Sequence, residues 1–176
     1  AKCEISNIKG LTPLANAAWQ GHQTMLKLLL RFGADIDHRT KEGATPLLLS
    51  IQNQKWDAVQ LLLANDVKVD IPDNQGWTAL QWAAARGFYP LAESLLERKA
   101  DPNQRTILGS TAAHLAAYNK NKPMLNLLAG CGADMQALDT HGRTPEEAIL
   151  GFSETEGASA SDAPAPNHYL DKARFV

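Results

Sequence analysis

The groups in this chain that could make or break bonds are few, and they do not converge. His22, His38, His114 and His141 stand far apart, and Cys3 and Cys131 offer neither a disulfide framework nor the CxxC spacing of a metal site. No Ser/His/Asp order, paired-carboxylate setting or phosphate-cradling glycine loop is present. The expectation is a protein that is not an enzyme, with no catalytic residue, no metal and no cofactor. Two isolated cysteines fit a reducing compartment, so the expected location is cytoplasmic or nuclear.

Charge argues against two classes of partner. The 176 residues carry 17 Lys+Arg and 19 Asp+Glu, a net charge of −2, and the whole imbalance lies in residues 153–176. Residues 1–152 balance the two signs, so the field that neutralises a phosphate backbone is missing and nucleic acid is not expected. The longest apolar runs, around Met25–Leu30 and Leu47–Ile51, fall short of the ~20 residues that cross a bilayer, so no membrane insertion is expected. No charged-then-apolar leader follows Ala1, so no signal segment is expected within the chain. The length allows one domain or one elongated array.

The spacing favours the array. A Gly followed two residues later by Thr recurs at Gly10/Thr12, Gly43/Thr45, Gly76/Thr78, Gly109/Thr111 and Gly142/Thr144, every step being 33 residues. Leu29, Leu62, Leu95 and Leu128 keep this register, as do Ala34, Val67, Ala100 and Ala133, and Pro follows the Thr at Pro13, Pro46 and Pro145. Thr-Pro places a side-chain acceptor at an N-cap and a residue without N–H at the first helical position, so a helix begins at each. The next helix, Thr24–Phe32, is expected to set Met25, Leu28, Leu29 and Phe32 on one apolar stripe and to end at Gly33.

On these motifs the sequence resembles the ankyrin repeat family, whose Thr-Pro-Leu-His-x-Ala signature and period match about 150 of the 176 residues. The resemblance implies a mainly α fold, an ankyrin-repeat solenoid in which each unit is a helix, a reversing turn, a second antiparallel helix and a β-hairpin finger. Expected repeats lie at about 1–33, 34–66, 67–99 and 100–132, with a capping part at 133–152 and a flexible tail at 153–176. Residues 1–9 align with the finger half of a repeat, so the chain is expected to open in mid-repeat. Glu146 and Glu147 replace the signature Leu-His, a polar change that suits a C-terminal cap. His22 and His114 fall at structural histidine positions, where the ring bonds to backbone. Cys3 and Cys131 lie almost four repeats apart, beyond disulfide reach.

Departures from the pattern mark strain. Gln54 and Lys120 replace the glycine between helices, and Asp66 and Lys99 replace the helix-ending glycine, so a side chain must bear a left-handed backbone or the turn must change. Ala113 and Ser94 stand where leucine is expected, which thins the packing of repeats four and three.

In the family, fingers and the exposed side of the first helices form a concave protein-binding face. Carried over residue by residue, that face holds Ile8, Leu11 and Trp19 in repeat one, Lys41 and Glu42 in repeat two, and Gln75, Trp77 and Arg86 in repeat three. Repeat four adds Ile107, Leu108 and Tyr118, and the fifth adds Arg143. Aromatic and Arg side chains dominate interface energetics, which makes Trp19, Trp77, Arg86 and Tyr118 the expected anchors. Trp77 has an alternative in packing against a neighbouring finger, and Trp82 reads as core. Two apolar residues at a finger tip, Ile107 and Leu108, mark a contact surface. Trp56 and Tyr89 read as staples at the start of second helices, with a convex binding site as the alternative. Leu95, Asp101 and Asn103 resemble the pattern favoured by the asparaginyl hydroxylase of the hypoxia pathway, against the reading of Asn103 as an amide that satisfies hairpin backbone.

The expected function is non-catalytic binding of a partner protein or extended peptide, selected by shape and a few hydrogen bonds rather than by charge. The alternative is a regulatory or substrate-recruiting domain of a larger enzyme, channel or pathogen effector. A monomer is expected. Residues 153–176 read either as a frayed tail or as a short docking peptide, Tyr169–Val176, that would mediate self-association.

Overall fold

The computed structural model describes residues 6–150. Among them, four helix pairs follow one another: α1 (Pro13–Gln20) with α2 (Gln23–Arg31), α3 (Pro46–Gln52) with α4 (Trp56–Leu63), α5 (Ala79–Arg86) with α6 (Tyr89–Glu97), and α7 (Ala112–Tyr118) with α8 (Lys122–Gly130). A further helix, α9 (Pro145–Leu150), closes the described part. The first helices of successive pairs lie against one another in a single row. Fully buried Ala15, Ala18, Ala83, Ala84, Ala116 and Ala117 keep that row close-packed, and Leu62, Leu95 and Leu128 anchor the second helices to it.

The predicted caps start these helices. The hydroxyls of Thr12, Thr45 and Thr78 accept the N–H groups of Ala15, Leu48 and Gln81 at 3.2, 3.3 and 3.3 Å. The residue three places into each first helix then decides how one repeat is tied to the next. Ala15 and Leu48 bring only apolar bulk. Gln81 is buried, accepts the Thr78 N–H at 2.9 Å and donates to the Gln104 carbonyl at 2.7 Å. His114 is also buried. Its Nδ1 accepts the Thr111 N–H at 3.2 Å and its Nε2 donates to the Arg143 carbonyl at 2.9 Å, which selects the Nε2–H tautomer. Glu147 keeps the local half of this pattern, accepting the Thr144 N–H at 2.8 Å.

Each finger is folded by its own polar residue. The side-chain oxygens of Asn7, Asp73 and Asp139 each accept two N–H groups, two and four residues on, at 2.8–3.0 Å. Thr40 and Thr106 each accept one such N–H, from Ala44 and Ser110. Neighbouring fingers are joined by single backbone bonds, from Lys41 to Lys9, Asn74 to Glu42, Ile107 to Gln75 and Thr140 to Leu108, at 3.0–3.1 Å. No strand is present among the described residues, so the expected hairpin fingers are realised as tight turns linked one bond at a time. The repeating glycine is dictated by this contact. At Gly76, with φ +79°, a Cβ would sit 2.9 Å from the Arg105 carbonyl oxygen of the next finger.

Two expectations need correction, and a third divides between its two alternatives. The α2 stripe is not buried as a whole: Leu26 is, Leu29 partly, while Met25, Leu28 and Phe32 are exposed. The counterparts of Met25 on the later second helices are buried and those of Leu28 half-buried, whereas those of Phe32, at Asn65, Arg98 and Cys131, are exposed as well. His22 is exposed and contacts the Gln20 amide at 2.8 Å, not backbone. Of the four residues that replace glycine, Gln54, Lys99 and Lys120 do take positive φ, at 54°, 66° and 52°, whereas Asp66 does not and its turn has changed instead.

Candidate partner-binding face

The fingers and first helices bring the repeat-one candidates together. Ile8, Leu11 and Trp19 line one open groove of about 290 Å³ with Asn7, Asn16 and Leu49. Leu11 and Trp19 are half-buried against the core and Ile8 is 85% exposed. Lys41 and Glu42 stand exposed at the next finger tip. Two fingers further along, Ile107 is 61% exposed and Leu108 is 38% exposed. Apolar side chains thus reach solvent at the first and fourth fingers.

The remaining anchors are engaged within the protein. Trp77 is only 6% exposed and its ring packs 4.9 Å from that of Trp82, so the tryptophan expected as a free anchor is instead part of the floor of repeat three. Gln75 is half-buried, its N–H bonded to Asp73 and its carbonyl to the Ile107 N–H. Arg86 stacks over Trp82, 5.7 Å from the ring centroid. Tyr118 and Arg143 form a closed cluster around Asp139. The phenol donates to Asp139 Oδ2 at 3.2 Å and accepts from Arg143 Nη2 at 2.6 Å, while Arg143 Nε and Nη2 reach the same carboxylate oxygen at 3.1 and 2.9 Å.

This cluster is the strongest electrostatic feature of the face. Burial pushes the Asp139 carboxyl up, but the Arg143 N–H, the Arg143 guanidinium and the His141 N–H outweigh it and bring it down to about 2. Burial also holds the Tyr118 phenol above its ordinary range, so it stays protonated and able to donate. Asp139 was not singled out by sequence. Its signal, an acid three residues before the repeat glycine, recurs at Asp73.

Elsewhere, Trp56 meets Phe88 edge-on at 4.5 Å, stapling the second pair to the third, and both Trp56 and Tyr89 remain partly exposed. Asn103 bridges two repeats, its Nδ2 donating to the Gly132 carbonyl at 3.0 Å and its Oδ1 accepting the Asp134 N–H at 2.7 Å. Cys131 is a free, exposed thiol. Among the described residues no helix is long and apolar enough to cross a membrane, and no three His, Cys, Asp or Glu side chains cluster as metal ligands. Cys3 and the proposed docking peptide at Tyr169–Val176 lie outside the described residues.

Paired helices stacked in register, with turn-built fingers on one side, define a helical repeat solenoid. Family models agree in detail: one for ankyrin repeats (3 copies) matches residues 14–106 and one for a single ankyrin repeat matches residues 108–140. The chain belongs to the ankyrin repeat family, whose repeats are generally protein–protein interaction modules. It is 34% identical over 128 residues to the mouse B-cell lymphoma 3 protein homolog, covering 72% of this chain and 28% of that protein. It is 28% identical over 169 residues to human SH3 and multiple ankyrin repeat domains protein 2, covering 89% of this chain and 9% of that protein. With the bovine inactive serine/threonine-protein kinase TEX14 it shares 38% identity over 96 residues, 54% of this chain and 6% of that protein. The chain therefore spans less than a third of the length of each of these relatives.

Proposed function

We propose that this chain is a non-catalytic recognition module that binds a partner protein, or an extended segment of one, across its fingers and first helices, in the cytoplasm or nucleus. The observation that carries the reading is the exposure of Ile8, Ile107 and Leu108 on the finger row, with an open groove between the first fingers and α1. Exposed apolar side chains on a rigid, turn-locked edge lose little entropy on binding and gain burial. Lys41, Glu42 and the part-exposed edge of Trp19 extend the same contact line.

The test is affinity capture from lysate with the whole chain and with an Ile8→Ser, Ile107→Ser, Leu108→Ser variant, after circular dichroism shows equal helix content. These side chains are exposed, so the variant folds. A protein held by the wild type and released by the variant supports the reading. Equal retention by both transfers binding to the outer helices around Trp56 and Tyr89.

A second reading is favoured by one observation, that the relatives are several times longer than the stretch they share with this chain. On that reading the same face recruits a substrate or regulator for a larger protein. Hydroxylation of Asn103 is a separate proposal, read out by intact mass and fragmentation of protein from its native cells; unmodified Asn103 there removes it.

A further inference from the structure

Arg86 is unlike its counterparts one repeat away on either side. The position at the end of each first helix is polar throughout, and in the other repeats the side chain is bonded: Gln20 to the Asn16 amide oxygen at 3.1 Å, Asn53 to the Leu49 carbonyl at 2.8 Å, and Asn119 to the Ala85 and Leu115 carbonyls at 3.0 and 2.9 Å. The Arg86 guanidinium carries five donors, yet its Nε and Nη2 are buried from solvent with no acceptor. It lies along Trp82, one turn earlier on α5, whose Nε1 is likewise buried without an acceptor. Burial lowers the Arg86 pKa below its usual value, but an arginine in a protein keeps its charge. Those two nitrogens are closed to any incoming group, but the side chain as a whole stays partly exposed, and no carboxylate among the described residues pairs with its charge. An incoming carboxylate can therefore compensate that charge from the open side of the guanidinium.

Charge on the rest of the face points the same way. Of the finger carboxylates, Asp73 and Asp139 are turned into their own turns, and Asp139 is paired with Arg143. Glu42 is the only exposed finger carboxylate among the described residues. Against it stand Lys41, Arg39 and Arg105, and the two arginines bond only to carbonyl and amide oxygens, at Gly43, Pro72, Asn74 and Leu138. The loops that follow the second helices lead into the fingers and carry Asp35, Asp37, Asp66, Asp70, Asp101 and Asp134 together with Lys68, Arg98 and Lys99. At the finger tips themselves the exposed charge is mainly basic.

We infer that the segment bound across the fingers carries an Asp or Glu side chain that pairs with Arg86 over the Trp82 ring. The inference rests on the reading of this face as the binding surface. An extended segment crossing successive fingers presents internal residues to Arg86, so a side-chain carboxylate, not a chain terminus, is the ligand.

The probe is a displayed library of random twelve-residue peptides, flanked at both ends, selected on the full chain. Selected peptides are expected to share an acidic residue at one register, and to weaken roughly tenfold or more on Arg86→Met, the factor that one charge-assisted hydrogen bond supplies. Arg86→Lys should recover part of this affinity, and raised salt should weaken the wild type more than R86M. R86M removes unsatisfied buried donors, so its melting temperature should equal or exceed that of the wild type, which separates lost binding from lost folding. Peptides without a shared carboxylate, or acidic ones that bind R86M equally well, overturn the inference. If such peptides are still released by the Ile8, Ile107 and Leu108 variant, the reading of the face survives; if that variant retains them, both fail. Binding that requires a free C-terminus, or an Arg86-dependent affinity for a single-stranded oligonucleotide with no acidic peptide recovered, overturns it as well.

Discussion

Polar side chains at a few positions do the joining between repeats, and each can be probed singly. Asp139 folds its own finger, pairs with Arg143 and holds Tyr118 in place. Its carboxyl titrates at about 2 in the folded chain, below the ordinary unfolded value near 4. A depressed folded pKa contributes stability that is present above the unfolded value and lost as pH falls through the folded one. The wild type should therefore lose stability between about pH 4 and pH 2, and Asp139→Asn should lose much less over that window, by thermal melts at half-unit steps. Asp73 is displaced the other way by burial, so Asp73→Asn should not flatten the acid limb. An acid limb unchanged in Asp139→Asn would contradict the role given to this carboxylate.

At the same scale, among the described residues left-handed backbone falls on three side chains other than glycine. Gln54, Lys99 and Lys120 occupy left-handed backbone that glycine takes in other repeats. Replacing each with Gly should stabilise the chain by about 0.5–1 kcal/mol, since release of the Cβ strain is partly offset by the entropy of glycine in the unfolded chain. Urea denaturation of the single variants checks this. Asp66→Gly should bring no such gain, because Asp66 does not share that backbone.

Among the elements, the second helices look alike in sequence and differ in what covers them. Met124 is fully buried, Ala58 likewise, and Leu91 is 8% exposed, while Met25 at the same repeat position is 48% exposed. Met124→Ala should cost about 2–5 kcal/mol. Met25→Ala should change stability by no more than about 0.5 kcal/mol. Equal losses at both sites would mean that α2 is covered in the folded chain as α8 is.

This pair also shows where sequence reading reached its limit. The helix starts were legible because Thr-Pro carries its own cap chemistry, and the period was legible because the finger glycines Gly10, Gly43, Gly76 and Gly109 must fit against the next finger. Which apolar residues of α2 are buried was not, since the 3.6-residue pattern names a face without naming the neighbour that covers it. Trp77 and Asp139 failed for a related reason. Trp77 follows a finger glycine just as Ala44 and Ser110 do, all three are buried, and the ring of Trp82 one turn into α5 gives the large Trp77 ring its packing partner there. Asp139 looks like any surface acid until Arg143 and Tyr118 from separate elements close over it.

For the whole molecule, the fingers form one edge along which each repeat adds a turn, a first-helix end and few mobile atoms. Binding spread over such an edge draws modest contributions from several repeats and concentrates them at a few anchors. The face carries exposed apolar groups at its first and fourth fingers and basic groups between them, so the bound segment should span the row from repeat one to repeat four. Hydrogen–deuterium exchange on the captured complex measures this directly. Slowed exchange at residues 8–11, 41–44 and 107–110, with 56–63 and 89–97 unchanged, is the result expected. Protection of the α4 and α6 segments, with the finger row left as fast as in the free chain, would contradict it.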